Sequence, residues 1–193
     1  MKTRIGDIDV HYTIEGSGPW ITLAHSLGCD TTMWDAQAAL LAPNYTVLRY
    51  DARGHGQTSA PQGPYTLEQM ADDVHGLFQH LGITRTHWLG ISMGGMIGQT
   101  YALKYPGVFS SMVLLDTTSR RPPNAQAMWG ERIAMAQAGG MAALIDSTLA
   151  RLIHQNLRGS QFIVIPDAAH ISNIEQPEFF NRELLKFLAQ QPA

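Results

Sequence analysis

Apolar segments with strand-like composition alternate with segments of helical periodicity along this 193-residue chain. The predicted strands are residues 8–14, 20–24, 46–50, 86–90, 112–116 and 162–165. The predicted helices are residues 34–41, 67–81, 93–105, 125–138, 140–157 and 177–188. Because several of these strands are continuously apolar, they are typical of a mostly parallel sheet that carries helices on both faces. We therefore predict an α/β fold, with functional side chains at the carboxyl ends of the strands.

The composition and net charge of the chain argue against several classes of function. The net charge is −3 and no Lys/Arg cluster is present, so we expect no nucleic-acid partner. No window approaches the ~20 apolar residues of a membrane span, and the N-terminus lacks the features of a signal peptide. Cys29 is the only cysteine, which favours a reducing, cytoplasmic location. Eight histidines occur, but no pair has metal-ligand spacing, so we expect no metal.

The segment Gly90-Ile91-Ser92-Met93-Gly94 is the most informative motif. It lies between a predicted strand and a predicted helix, which is the setting of a nucleophile elbow. Glycines permit the tight turn, and the backbone N–H of Met93 would begin the helix, where a developing oxyanion is stabilised. We predict that Ser92 is the nucleophile. The alternative is an ordinary glycine-rich turn between a strand and a helix.

Two further segments follow predicted strands. In His25-Ser26-Leu27-Gly28 the backbone N–H of Leu27 is the predicted second oxyanion donor, and His25 is predicted to be structural. The alternative here is a simple turn. His170 follows the strand predicted at 162–165, after Ser92 in the chain, and is the predicted general base.

The loop Asp51-Ala52-Arg53-Gly54-His55-Gly56 also follows a predicted strand. We interpret it as architectural: a buried ion pair between Asp51 and Arg53 would fix the loop beside the nucleophile.

Together these segments resemble the α/β-hydrolase superfamily, and within it the 3-oxoadipate enol-lactonases. The resemblance covers nearly the whole chain. Beyond the strings above, it includes Tyr65-Thr66-Leu67, Asp167-Ala168-Ala169-His170-Ile171-Ser172-Asn173 and Glu175-Gln176-Pro177. It implies opening of an enol-lactone ring by Ser–His–Asp acyl transfer, without a cofactor.

The chain departs from that family in its second half. Only the first helices of the usual four-helix cap are recognisable, at 125 to about 150, and the strand that carries the acid is missing. We predict a hydrolase core at 1–119 and 153–193 and a remnant helical cap at 120–152. Asp116 is the best substitute acid, although it could equally cap a loop with Thr117 or Thr118. Asp146 and Asp167 are weaker candidates.

Trp129 and Arg132 resemble the family's pair on a cap helix and could line the substrate pocket. The alternative is a packed tryptophan and a solvated arginine. Three functions therefore stay open: an enol-lactonase, a broad short-chain carboxylesterase, and a non-catalytic truncated scaffold. The partner is expected to be a small ester or lactone, and the chain a monomer or homodimer.

Overall fold

A computed structural model describes residues 1–119, 125–139, 163, 165, 166, 168 and 170–191. Within them six strands form one sheet in the order β1-β2-β4-β3-β5-β6. The strands are β1 Lys2–Ile5, β2 Ile8–Glu15, β3 Trp20–Ala24, β4 Thr46–Tyr50, β5 Thr86–Ile91 and β6 Phe109–Leu115. The β1–β2 and β2–β4 pairs are antiparallel, whereas β4, β3, β5 and β6 are mutually parallel. The predicted α/β class with a mostly parallel sheet is confirmed.

Six α-helices accompany the sheet in the described residues. They are α1 Asp35–Leu41, α2 Leu67–Leu81, α3 Met93–Lys104, α4 Ala125–Gly139, α5 Ser172–Glu175 and α6 Pro177–Leu188. A short 3₁₀-helix, Thr31–Trp34, precedes α1. Helix α2 shows why such segments are helical: the Thr66 side chain caps its first turn, and Gly82 ends it in the left-handed conformation. None of the helices described is long and apolar enough to cross a membrane.

In the part of the chain that the structure describes, the core consists of two apolar clusters, one on each face of the sheet. Because side chains alternate along a strand, Trp88 points to one face while Leu89 points to the other. The Trp88 cluster packs against α2 and α3, through residues such as Phe78 and Tyr101. The Leu89 cluster packs against α1 and α6. The central strands are therefore covered on both faces, and only their ends are available for chemistry.

Some predicted elements differ from the structure. Strand β1 was not predicted, and β6 begins at Phe109 rather than at 112 because its first half pairs with β5 although it is only partly buried. Ile163 and Ile165, the two described residues of the strand predicted at 162–165, lie outside any strand. The helix predicted at 140–157 falls outside the described residues. The division into core and remnant cap stays a prediction.

The predicted ion pair between Asp51 and Arg53 is wrong. The buried Asp51 carboxylate is hydrogen-bonded to His11 Nδ1 at 2.8 Å and to two backbone N–H groups. Arg53 instead binds Asp7 and Asp73, with closest N–O distances of 2.8 and 2.7 Å. Both interactions link this loop to distant elements, so the loop is architectural, but through partners far away in sequence.

Candidate active site

Ser92 lies in the turn between β5 and α3. Its φ of 51° and ψ of −113° are unusual for a residue with a side chain. The turn needs glycine on either side: a Cβ at Gly94 would collide with the Ala24 carbonyl of β3, and one at Gly90 with Trp88 and Gly94. The sequence pattern thus produces a strained turn that places the Ser92 hydroxyl at the carboxyl edge of the sheet.

Hydrogen bonds hold the backbone of Ser92 in this conformation. Its N–H donates to the Leu115 carbonyl at the end of β6, at 2.9 Å. Its own carbonyl accepts from Met96 N–H at 3.1 Å and from the Thr117 hydroxyl at 2.7 Å. The turn is therefore tied both to its own helix and to the segment that follows β6.

The imidazole of His170 meets the Ser92 hydroxyl. Its Nε2 lies 2.9 Å from Ser92 Oγ, although 78 residues separate the two in the chain. This is a hydrogen-bonding distance between a hydroxyl and a ring nitrogen that could accept its proton. The structure thus brings together the two residues that we predicted as nucleophile and base.

The segment after His170 is anchored to the 3₁₀-helix and to α1. The buried Asn173 amide donates to the Met33 carbonyl and to the Gln37 side chain, each at 3.3 Å. Gln37 in turn donates to the Asn173 carbonyl at 3.2 Å. These contacts restrict where His170 can lie. We did not predict a role for Asn173, and its only sequence signal was its place in the string that begins at Asp167.

Asp116 follows β6 and also has a positive φ, of 42°. Its Oδ2 accepts a hydrogen bond from the Ser172 hydroxyl at 2.9 Å. Burial raises the pKa of Asp116, while the Ser172 hydrogen bond and the nearby His170 act in the opposite direction. Among the described residues, no direct hydrogen bond joins Asp116 to His170. Asp116 is therefore an electrostatic neighbour of the base, and Ser172 is hydrogen-bonded to Asp116. The alternative acids Asp146 and Asp167 lie outside the described residues.

The two predicted oxyanion donors lie on neighbouring strand ends. Strands β3 and β5 are parallel, with Ala24 paired with Gly90, so the loops that carry Leu27 and Met93 leave the same edge of the sheet. Met93 is the first residue of α3, and Leu27 is half exposed. Neither backbone N–H donates to another described residue. Both therefore remain available to bind an anion.

The sequence and the fold of this chain both match known proteins. Residues 19–158 match the family model described as the alpha/beta hydrolase fold. The chain belongs to the alpha/beta hydrolase family. Within this family, 3-oxoadipate enol-lactonase 2 of Acinetobacter baylyi is 34% identical over 147 residues, which cover 75% of this chain and 54% of that protein. Enol-lactonase 1 of the same organism is 33% identical over 135 residues, which cover 70% and 50%.

Solved structures of alpha/beta hydrolases superpose on the chain. The enol-lactonase of Burkholderia xenovorans LB400 gives a TM-score of 0.86 at 28% identity, covering 98% of this chain and 100% of that one. A hydrolase from Pseudomonas aeruginosa PA01 gives 0.71 at 33% identity, covering 100% and 67%. The chain spans about half the length of the curated relatives that it matches. The predicted resemblance to this family and its enol-lactonases is confirmed.

The other residues singled out in the sequence occupy different parts of the fold. Trp129, with 42% of its surface exposed, and Arg132 both lie on α4. The Arg132 side chain falls outside what the structure describes, so their role in binding substrate stays a prediction. His25 is buried and hydrogen-bonded to backbone through both ring nitrogens. Within the described ranges, no His, Cys, Asp or Glu cluster could hold a metal ion.

Proposed function

We propose that this chain is a serine hydrolase that cleaves a carboxylic ester or lactone, with 3-oxoadipate enol-lactone as its specific substrate. The 2.9 Å contact between His170 Nε2 and Ser92 Oγ is the observation that carries the proposal. It supplies the two elements of nucleophilic acyl transfer: a hydroxyl and a base within reach of its proton.

In the proposed reaction, Ser92 Oγ attacks the substrate carbonyl as His170 Nε2 takes the hydroxyl proton. The oxyanion of the tetrahedral intermediate accepts hydrogen bonds from Leu27 and Met93 N–H. Collapse of the intermediate opens the lactone ring, and the proton on His170 passes to the leaving oxygen. His170 then activates water, which hydrolyses the acyl-enzyme and restores Ser92.

Asp116 is the proposed acid of this triad. Its carboxylate lies close enough to His170 to interact with it electrostatically, and Ser172 holds one of its oxygens in place. A negative charge beside the base stabilises the imidazolium that forms during attack. The similarity to enol-lactonases supports the choice of an enol-lactone, which carries a carboxylate. Arg132 on α4 is the proposed cation for that group.

Labelling with a fluorophosphonate, followed by intact-mass measurement and peptide mapping, tests the chemistry. We expect rapid modification at Ser92 alone and none in a Ser92→Ala variant with an unchanged circular-dichroism spectrum. Hydrolysis of the enol-lactone should then exceed hydrolysis of a simple aryl ester. Turnover of aryl esters alone would favour a broad short-chain carboxylesterase. A folded protein that is not labelled would contradict the proposed hydrolase and favour a non-catalytic scaffold.

A further inference from the structure

We propose that His25 is a positioning residue, whose imidazole orients the Ser26–Leu27 peptide so that the Leu27 N–H faces the oxyanion. This proposal rests on the proposed function, since it assigns His25 to the same oxyanion site. In this role His25 itself does not contact the substrate.

The geometry begins at the Ser26 carbonyl. His25 Nδ1 donates to this oxygen at 2.7 Å, and the Cys29 N–H donates to it at 3.1 Å. A trans peptide is planar, so its C=O and N–H bonds point in opposite directions. The N–H of that same peptide belongs to Leu27. Two hydrogen bonds that fix the Ser26 carbonyl therefore also fix the direction of the Leu27 N–H.

The other ring nitrogen determines which tautomer is present. The Ala52 backbone N–H donates to His25 Nε2 at 3.0 Å, so Nε2 must carry a lone pair. The proton of the neutral ring is then on Nδ1, where it is needed to reach Ser26. The ring is almost fully buried between the loops that follow β3 and β4. The loop after β4 thus holds the imidazole, and the imidazole holds the peptide.

The surroundings of His25 keep this tautomer neutral. Burial lowers its pKa below the usual range, and the His55 ring, 5.2 Å away between centroids, acts in the same direction. The Ser26 hydrogen bond and the carboxylates of Asp51 and Asp30 oppose this without reversing it. Protonation of Nε2 would remove the acceptor for Ala52 N–H. We therefore expect His25 to stop orienting the peptide only in acid, at a pH below the range in which histidines ordinarily titrate.

The expected benefit is confined to the transition state. A hydrogen bond to a peptide carbonyl polarises that peptide and strengthens its N–H as a donor. An oxyanion exists only after attack, so a better oriented Leu27 N–H should raise kcat and leave KM nearly unchanged.

A matched pair of variants tests this assignment. In His25→Asn the side-chain nitrogen stands near the position of Nδ1, and in His25→Gln near that of Nε2. Removing a whole oxyanion donor costs about 10²- to 10³-fold in kcat, so misorienting one should cost less, roughly 10- to 100-fold. We expect that loss in His25→Gln and His25→Ala, and a loss within about threefold in His25→Asn. Circular dichroism and thermal unfolding show that each variant is folded.

The backbone amide of Leu27 gives a readout that needs no activity. In ¹⁵N-labelled protein its resonance should stay near the wild-type position in His25→Asn and move in His25→Gln and His25→Ala. Equal kcat values for the Asn and Gln variants, a change in KM alone, or an unmoved Leu27 amide would overturn the proposal. If wild-type Ser92 fails to react with fluorophosphonate, the proposed function fails, whereas the Leu27 resonances still decide whether His25 orients this peptide.

Discussion

Strands β5 and β6 are parallel neighbours, yet they differ sharply in burial. Every residue of β5 is buried, whereas Leu115 is the one buried residue of β6. The proposed nucleophile follows β5, and the proposed acid, Asp116, follows β6. The proposed nucleophile and the proposed acid therefore follow strands that differ in how well they are buried.

On the β5 side, position is set by the backbone: a strained φ at Ser92, glycines where a Cβ would collide, and strands covered on both faces. On the β6 side Asp116 also has a positive φ, but its strand is only partly buried and its carboxylate is held by the hydrogen bond from Ser172. We infer that substitutions near β5 should chiefly cost stability, because they disturb packing. Substitutions at the end of β6 should chiefly cost activity.

The largest effect is expected from Asp116→Asn. It keeps an acceptor for Ser172 but removes the charge beside His170, so kcat should fall roughly 10²- to 10⁴-fold. Stability should rise at neutral pH. Because the pKa of Asp116 is raised, the folded state binds a proton more tightly than the unfolded state, and wild-type stability falls as pH rises through that pKa.

Steady-state kinetics and thermal unfolding over a pH series check both parts. The gain in Tm of Asp116→Asn over the wild type should be largest near neutrality and shrink as the pH falls through the raised pKa. An unchanged kcat would show that another group acts as the acid.

Arg53→Leu tests whether a buried ion pair in the loop after β4 supports the fold more than an exposed one does. The Arg53 side chain is 3% exposed and neutralises Asp73, which is 13% exposed. Without it a buried carboxylate is left unpaired, so the free energy of unfolding should fall by about 3–5 kcal/mol. The control is Arg182→Leu, since Arg182 is 54% exposed in its ion pair with Glu183. This substitution should lower the free energy of unfolding by about 0.5 kcal/mol or less. Equal midpoints of chemical denaturation for the two variants would contradict the expected difference between the buried and the exposed ion pair.

Gly94→Ala should destabilise the elbow. The added Cβ meets backbone atoms of Ala24, which cannot rotate away, so β3 and α3 must separate at a cost of about 1–3 kcal/mol. Gly130→Ala is the matched control on α4, where a Cβ would meet nothing within 4 Å. There the helix should gain up to about 1 kcal/mol. Urea unfolding measures both, and a neutral Gly94→Ala would show that the elbow yields more easily than its packing indicates.

The smallest effect is expected from Ser172→Ala. Loss of the 2.9 Å hydrogen bond to Asp116 should lower kcat by roughly three- to tenfold, which corresponds to about 1 kcal/mol. It should also raise the pKa of Asp116 further, because that hydrogen bond lowers it. The pH–rate profile should shift accordingly, and Ser172→Thr, which keeps a hydroxyl, should retain the wild-type profile. Identical profiles for the Ala and Thr variants would count against a role for Ser172.

The sequence predicted the β5 side better than the β6 side. The elbow is encoded within five consecutive residues, and glycines and serine at that spacing permit few alternatives. The fold class followed from the apolar strands, which are buried on both faces. Strand β1 was not predicted because Lys2–Ile5 is short and partly exposed, and so lacks a continuous apolar run. It is a strand because it pairs with β2.

Long-range partners could not be read from the sequence. Asp51 and Arg53 are two residues apart, which suggested an ion pair, yet their partners His11, Asp7 and Asp73 lie in other elements. The contact from Ser172 to Asp116 spans 56 residues and depends on how α5 packs. Such contacts are decided by tertiary structure, because local spacing says nothing about which side chains later meet.

The positive φ of Ser92 has a consequence for protein engineering. Since the main chain itself presents residue 92 at the edge of the sheet, the placement of the reactive atom is separable from its chemical identity. A cysteine introduced by Ser92→Cys would be displayed at the same point beside His170. With the free Cys29 also replaced, that cysteine would be the one thiol of the protein, and conjugation would be directed to the edge of the sheet.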